Sequence, residues 1–475
     1  MKIRLLFFLS LFPTFFINAQ IGFEENVIVG DNPYNVQSTY VEDIDGDGDL
    51  DIISNNDNII GWYENLGNSN FTSLREISTE VYNLSTDTYH PTFVYASDMD
   101  GDGDMDVLSA SSGGNSKIAW YENLDGQGSF GSQNIITTSV IGASSVFSID
   151  IDGDGDMDVL SASWWDDKIA WYENLDGLGT FGPQIIISNN ADYANSVYAK
   201  DLDGDGDIDV LSASTSDNKL AWYENTDGFG SFGPEQIIVS NFSKAYSVHS
   251  EDLDGDGDMD VISGSVGDGK IIWYENDESQ VFTEHLIHTN WGVTDLFAVD
   301  IDSDGDMDIL SSTFYDAIWL YENDGNGEFT VNVVTNNVDY SNSVYAADVD
   351  GDGDIDILSA SINDNMIAWY DNDGNQVFTQ KVISTNANKA RYVYAADIDG
   401  DGDMDVLSAS DAVNDDKISW YEQEGSSLFA PATKEELQTA VDLWVDDNAT
   451  ALTTYGDVNT WDVSLITNME SLFAN

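Results

Sequence analysis

Along most of the chain the apolar positions come in short runs, separated by turn-forming residues. Residues 344–383, VYAADVDGDGDIDILSASINDNMIAWYDNDGNQVFTQKVI, show the pattern. VYAAD alternates, DILSAS follows an aspartate-glycine stretch, MIAWYDN comes next, and VFTQKVI closes the unit after a Gly/Asn/Asp turn. Short alternating runs bounded by turn residues predict four β-strands. Nothing in the unit has a useful length of helical periodicity. The aspartate-rich stretch starts at Asp43, Asp98, Asp150, Asp201, Asp252, Asp300, Asp348 and Asp397, at spacings of 55, 52, 51, 51, 48, 48 and 49 residues. A period near 50 marks a repeat architecture. Four-stranded antiparallel units set around an axis predict an all-β protein, a β-propeller of eight blades. Seven blades with one repeat outside the ring is the alternative.

Counting strands favours eight. The fourth strand recurs as FTSLREIS, FGSQNIIT, FGPQIIIS, FGPEQIIVS, FTEHLIH, FTVNVVT and FTQKVIS, and the eighth repeat runs into SLFAPATKEEL instead. FEENVIV, residues 23–29, fits the missing strand. An N-terminal strand would then complete the last blade and remove the open sheet edges. After Pro431 the pattern changes. Thr433, with Glu436 three residues on, reads as a capping box, and Leu437, Val441 and Trp444 share one face of an amphipathic helix.

Composition changes the picture in three ways. Hydrophobic residues are 41% of the 475, with 13 Trp, 22 Tyr and 21 Phe, which supplies a folded core. Asp and Glu number 88 against 14 Lys and Arg, a formal charge of −74. That charge repels nucleic acid and anionic membrane surfaces and asks for counter-cations, bound or from a saline habitat. There is no cysteine, so bound metal is the substitute for disulfide stapling. The N-terminus has Lys2 and Arg4, then the apolar LLFFLSLFPTFF, then INAQ with a cleavage site after Ala19. It reads as a signal peptide, with Pro13 interrupting a run that is short for a membrane span. The organisation is thus 1–19 export signal, 20–429 propeller and 430–475 a C-terminal segment, for a protein secreted or held at a cell surface without membrane insertion.

The aspartate stretch has the ligand spacing of a calcium loop. Position 1 is Asp43, Asp98, Asp150, Asp201, Asp252, Asp300, Asp348 and Asp397. Position 3 is Asp45, Asp100, Asp152, Asp203, Asp254, Asp302, Asp350 and Asp399. Position 5 is Asp47, Asp102, Asp154, Asp205, Asp256, Asp304, Asp352 and Asp401. Position 7, expected to offer its carbonyl, is Asp49, Asp104, Asp156, Asp207, Asp258, Asp306, Asp354 and Asp403. Position 9 is Asp51, Asp106, Asp158, Asp209, Asp260, Asp308, Asp356 and Asp405. Glycine holds position 6 for the sharp turn, and Ser303 is the one variant at position 4. Oxygen donors without His or Cys favour calcium over transition metals, and so many carboxylates disfavour magnesium. An EF-hand is excluded: position 12 is serine throughout, starting with Ser54, and the flanks are strands.

The pattern D-h-D-G-D-G-D-h-D-h, with h apolar, on a four-strand unit resembles the FG-GAP/VCBS repeats, the family that includes the integrin α-chain propeller. The likeness covers residues 23–429 and implies a calcium-binding propeller. It leaves activity open, since that family includes adhesins, lectins and parts of polysaccharide-degrading enzymes. The C-terminal stretch resembles the start of the BspA-like leucine-rich repeats of bacterial surface proteins, through Trp461-Asp462-Val463-Ser464, Thr467-Asn468-Met469 and Leu472-Phe473.

Two sets of aromatics compete for a role. Trp62, Trp120, Trp171, Trp222, Trp273, Trp369 and Trp420 hold one register, with Leu320 in the sixth repeat. A residue repeated in every blade fills space between blades. The irregular aromatics Trp164, Trp165, Phe314, Tyr315, Tyr193, Tyr246, Trp291 and Tyr340 fall on connections at the end opposite the aspartate loops. They either pack onto their own loops or form a glycan-binding rim. His90, His249, His285 and His288 form no zinc pattern, and no nucleophile elbow or phosphate loop occurs. Three functions remain: adhesion to a surface protein or glycan, a part of a polysaccharide lyase or hydrolase, and a spacer.

Overall fold

The computed structural model describes residues 22–32, 36–56, 59–67, 70–78, 91–112, 116–277, 279–290, 292–314, 317–410, 416–424, 431 and 433–446. The expected export signal, His90, Trp291, Tyr315 and the residues read as leucine-rich-like lie outside them. The chain divides into two compact units, residues 25–422 and a second made of 1–24 with 423–475.

The larger unit is a ring of eight four-stranded antiparallel blades. Blade 4 shows the plan: Ala194–Lys200 innermost, then Asp209–Ser214, Lys219–Tyr223 and Gln236–Val239 outermost. The innermost strand alternates between buried and partly exposed positions, whereas all of Asp209–Ser214 is buried. A second strand hidden on both faces reads as a continuous apolar and small-residue run, because a neighbouring blade covers each face. Cores accordingly lie between blades. One joins Leu160, Ile169 and Trp171 of blade 3 to Val197, Val210 and Tyr223 of blade 4.

The ring closes as the strand count requires. Blade 8 orders its strands as Ala390–Ala396, Asp405–Ser410, Asp416–Glu424 and, outermost, the N-terminal strand Gly22–Asn32. The seam carries side-chain bonds too: Lys417 Nζ lies 3.3 Å from Glu25 Oε1, and Ser419 Oγ donates to the same oxygen at 3.1 Å. The innermost strand of blade 1, Val36–Glu42, meets Asp405–Ser410 of blade 8 and completes the circle.

In the second unit one helix, Lys434–Asp446, follows Thr433 directly. Leu437 N–H donates to Thr433 C=O at 3.1 Å, so the helix begins where expected; of the residues expected on one face, Leu437 and Val441 are buried and Trp444 half-buried.

Candidate functional site

Each aspartate loop joins the innermost strand to the second, and its backbone is held by its own carboxylates. The position-1 Oδ2 accepts the N–H of the position-6 glycine, at 3.1 Å from Asp43 to Gly48 and 3.0 Å from Asp150 to Gly155. That glycine has φ of 98° in both loops, a conformation L side chains rarely take. The position-5 Oδ1 accepts the N–H of position 7, as Asp47 does from Asp49 at 2.9 Å. The position-9 aspartate opens the second strand and is buried, at 0% exposure for Asp51 and 1% for Asp209. Both its oxygens accept: Asp51 Oδ2 from Ile44 N–H at 3.0 Å and Oδ1 from Asn65 N–H at 2.7 Å.

Positions 1, 3 and 9 converge. Asp43, Asp45 and Asp51 bring one oxygen each within 4.8 Å of one another. So do Asp98, Asp100 and Asp106; Asp150, Asp152 and Asp158; Asp201, Asp203 and Asp209; and Asp252, Asp254 and Asp260. Position 5 is not among these five groups, and its Oδ1 accepts the N–H of position 7. The position-7 carboxylate turns to the glycine of the turn between strands three and four. A Cβ on Gly126 would lie 2.4 Å from Asp104 Oδ1, and one on Gly177 the same distance from Asp156 Oδ1.

These focal points fit a hard cation. The Oδ1 atoms of Asp43, Asp45, Asp348, Asp350 and Asp397 are buried without a hydrogen-bond partner among the described residues. Burial pushes Asp51, Asp106, Asp158, Asp209, Asp260, Asp308 and Asp356 up to about 7, against backbone N–H groups that pull the other way. Asp45, Asp152 and Asp350 rise to about 6, through burial first and the charge of the adjacent position-5 aspartate second. Orphaned oxygens and mutually repelling carboxylates are what an all-oxygen cation site looks like before its charge is balanced.

A residue the sequence reading passed over links the loops. The asparagine ending the third strand, Asn225 in blade 4, gives its N–H to its own Asp209 Oδ1 at 2.8 Å. Its Nδ2 donates at 2.9 Å to the carbonyl of Ile151, position 2 of the blade 3 loop. Asn123, Asn174, Asn276 and Asn323 reach back one blade in the same way, to Ile44, Met99, Leu202 and Leu253. The signal was the last letter of IAWYEN, asparagine in seven repeats and Gln423 in the eighth.

The repeated tryptophans are core, from 0% exposure at Trp369 to 3% at Trp120 and Trp273. A Cβ on Gly179 of blade 3 would lie 2.1 Å from Trp120 Cζ2 of blade 2, so the indole fills the space between blades. A second aromatic row was missed. Three residues before each loop stand Tyr40, Tyr95, Phe147, Tyr198, His249, Phe297, Tyr345 and Tyr394. Neighbours in this row touch across blades, with ring centroids 5.0 Å apart for Tyr40–Tyr95, 5.6 Å for Tyr198–His249 and 4.8 Å for Tyr345–Tyr394.

At the opposite end the irregular aromatics divide. Trp164 stacks on Tyr193 at 5.5 Å, and Phe314 meets Tyr340 at 4.6 Å. Trp165, Tyr193 and Tyr246 remain exposed. Two adjoining cavities open here. One of about 500 Å³ is lined by Tyr193, Lys244 and Tyr246 among others, and one of about 360 Å³ by Tyr246, Asp295, Phe314, Tyr340, Arg391 and Tyr392 among others. His249, His285 and His288 line neither cavity. His285 lies 2.6 Å from Glu275, and His288 packs on Trp319 at 4.9 Å.

Seven overlapping stretches match the FG-GAP-like repeat: residues 43–109, 98–161, 150–212, 201–263, 252–311, 300–359 and 348–408. The chain belongs to the FG-GAP-like repeat family. Each match runs from one aspartate loop through the next, so the family unit spans the inter-blade junction just described. No curated protein matches the chain. Among solved structures, Sqt1 of Saccharomyces cerevisiae superposes with a TM-score of 0.57 at 10% identity, over 82% of this chain and 99% of that one, a likeness of fold. An Agrocybe aegerita lectin that recognises non-reducing terminal N-acetylglucosamine has a TM-score of 0.47 at 21% identity, covering 64% of this chain and 81% of its own. A Bacillus licheniformis rhamnogalacturonan lyase has a TM-score of 0.47 at 16% identity, covering 81% and 71%.

Proposed function

We propose that this FG-GAP propeller is an exported calcium-binding protein of the cell surface or its surroundings. Calcium at the foci of positions 1, 3 and 9 ties the blades together, and the opposite face binds glycan. The observation that carries the calcium reading is the set of buried, unpartnered carboxylate oxygens at Asp43, Asp45, Asp348, Asp350 and Asp397. Calcium supplies two positive charges and accepts oxygen donors in flexible number, which suits loops with this much carboxylate. Its role is structural, because the loops of blades 1 to 5 are each bonded to the next blade through an asparagine.

The glycan reading rests on exposed aromatic rings beside polar side chains in the two cavities. Binding is favoured over hydrolysis. Glycoside hydrolysis commonly takes a pair of carboxylates, and Asp295 is the one carboxylate among the residues lining these cavities. A glycan array run with calcium and with EDTA tests the proposal. Retention of glycans in calcium and loss in EDTA supports it. No retained glycan in calcium removes the glycan reading, and a melting temperature indifferent to EDTA removes the calcium reading.

A further inference from the structure

The eightfold repeat supplies its own control: a position that departs from it, and is not taken up by the core, serves something other than the shared scaffold. Near the start of each innermost strand lies a bulge, and its residue is normally small and polar. Ser144, Asn195, Thr294 and Asn342 use it to bond the backbone of the next blade, at 2.8, 2.8, 2.7 and 2.8 Å. Blades 5 and 8 depart, with Tyr246 and Arg391. One residue on, five blades have serine, whereas blade 6 has Asp295 and blade 8 has Tyr392. Phe93 departs there too, in blade 2, and packs into the core between blades 2 and 3. The other four departures come from three different blades and line one cavity of about 360 Å³.

The cavity's chemistry is specific. Asp295 is partly buried and accepts the N–H groups of Leu296 at 3.1 Å and Val344 at 3.3 Å. Asp295 and Arg391 both line the cavity, so it offers one carboxyl group and one guanidinium. Tyr246 and Tyr392 are 44% and 46% exposed and present ring surface. Aromatic faces accept the apolar C–H face of a pyranose, while a carboxylate and a guanidinium take its hydroxyls. The volume is at the small end of ligand pockets, about 300–1,000 Å³, which suits the end of a glycan. A chain of formal charge −74 repels polyanions, so the matching ligand is neutral.

We propose that this cavity is a single binding site, one per ring, for the neutral hexopyranose end of a glycan. Asp295 and Arg391 grip hydroxyls, and Tyr246 and Tyr392 stack on the ring. The proposal rests on the glycan reading above and adds to it the place, the stoichiometry and the ligand class.

The test is isothermal titration of the full chain in calcium with neutral oligosaccharides (gluco-, manno- and galacto-configured) and with oligogalacturonates. The expected result is one site per chain for a neutral sugar and no measurable uronate binding. Tyr392→Ala and Arg391→Met should each weaken binding about tenfold or more. Phe229→Ala, on an exposed turn at the aspartate-loop end, should leave it unchanged. Melting in calcium confirms that each variant folds, and Asp295→Asn stands in if Arg391→Met does not. Several sites per chain, tighter uronate binding, or full affinity in folded Tyr392→Ala and Asp295→Asn would overturn this site while leaving glycan binding standing. Absence of binding by every sugar in calcium would overturn both.

Discussion

Asn225→Ala tests whether the asparagine link holds neighbouring blades together. Asn225 is 0% exposed. Truncation removes the donor to the Ile151 carbonyl at 2.9 Å and the Oδ1 that accepts Gly230 N–H at 3.1 Å. The backbone bond to Asp209 survives, because it uses the main-chain N–H. Two buried backbone groups are thus left without partners at about 1–3 kcal/mol each, a loss of about 2–6 kcal/mol. Asn225→Asp keeps the acceptor for Gly230, loses the donor, and sets a carboxylate against the Ile151 carbonyl, so it should be at least as damaging. The assay is urea denaturation in saturating calcium, followed by tryptophan fluorescence, with exposed Asn241→Ala as the control. Calcium titration of the same variants should show weakened binding, since the bond holds the loop of blade 3. A variant within about 0.5 kcal/mol of the parent, the usual range for surface changes, would refute the inter-blade role of this residue.

Other expectations follow from the same geometry. Chelation by EDTA should lower the melting temperature sharply; at a hundredfold excess over its dissociation constant each calcium contributes about 2.7 kcal/mol, and the linked loops make the eight contributions non-additive. Gly179→Ala drives a methyl to 2.1 Å from Trp120 at φ +73°, so thermal unfolding should show a loss of about 2 kcal/mol or more. Asp295 is raised from 3.8 to about 7, by burial first. Its folded form holds the proton more readily than the unfolded chain, so its favourable contribution is full below about pH 4 and lost as pH rises through 7. In saturating calcium, the melting temperature of Asp295→Asn relative to the parent should therefore climb between those pH values and level off above them; a flat difference would contradict the shift.

The fold was legible because the sequence states it eight times. FEENVIV could be placed in blade 8 by strand counting alone, and the strand Gly22–Asn32 lies there. The tryptophans could be assigned to the core because a strict repeat serves what every blade shares. Two shared features were equally visible and passed unread. The asparagine of IAWYEN was not singled out, because its partner Ile151 is 74 residues away from Asn225. The aromatic row from Tyr40 to Tyr394 looked like ordinary strand alternation, and only the ring brings Tyr345 against Tyr394. Departures were harder. Asp295, Arg391 and Tyr392 are single differences in single repeats, and nothing in the chain says that blades 6 and 8 face one cavity.

The five aspartates of a loop are chemically unequal, and this explains why so many are tolerated. Asp51 cannot be merely a ligand, since both its oxygens hold backbone N–H groups from two different strand ends. Asp47 could be replaced by asparagine for its turn-holding bond alone, because an amide oxygen would accept the Asp49 N–H equally well. A carboxylate there raises Asp45 further, which harms the metal-free loop. Charge that is costly without a cation and dispensable for the turn is what the proposed calcium would balance. The same carboxylates shape the loop, and the same asparagine touches two loops at once. If calcium fills the foci as proposed, filling one would stiffen the anchor that the next blade grips, and stability without cysteine would be a property of the ring rather than of any blade.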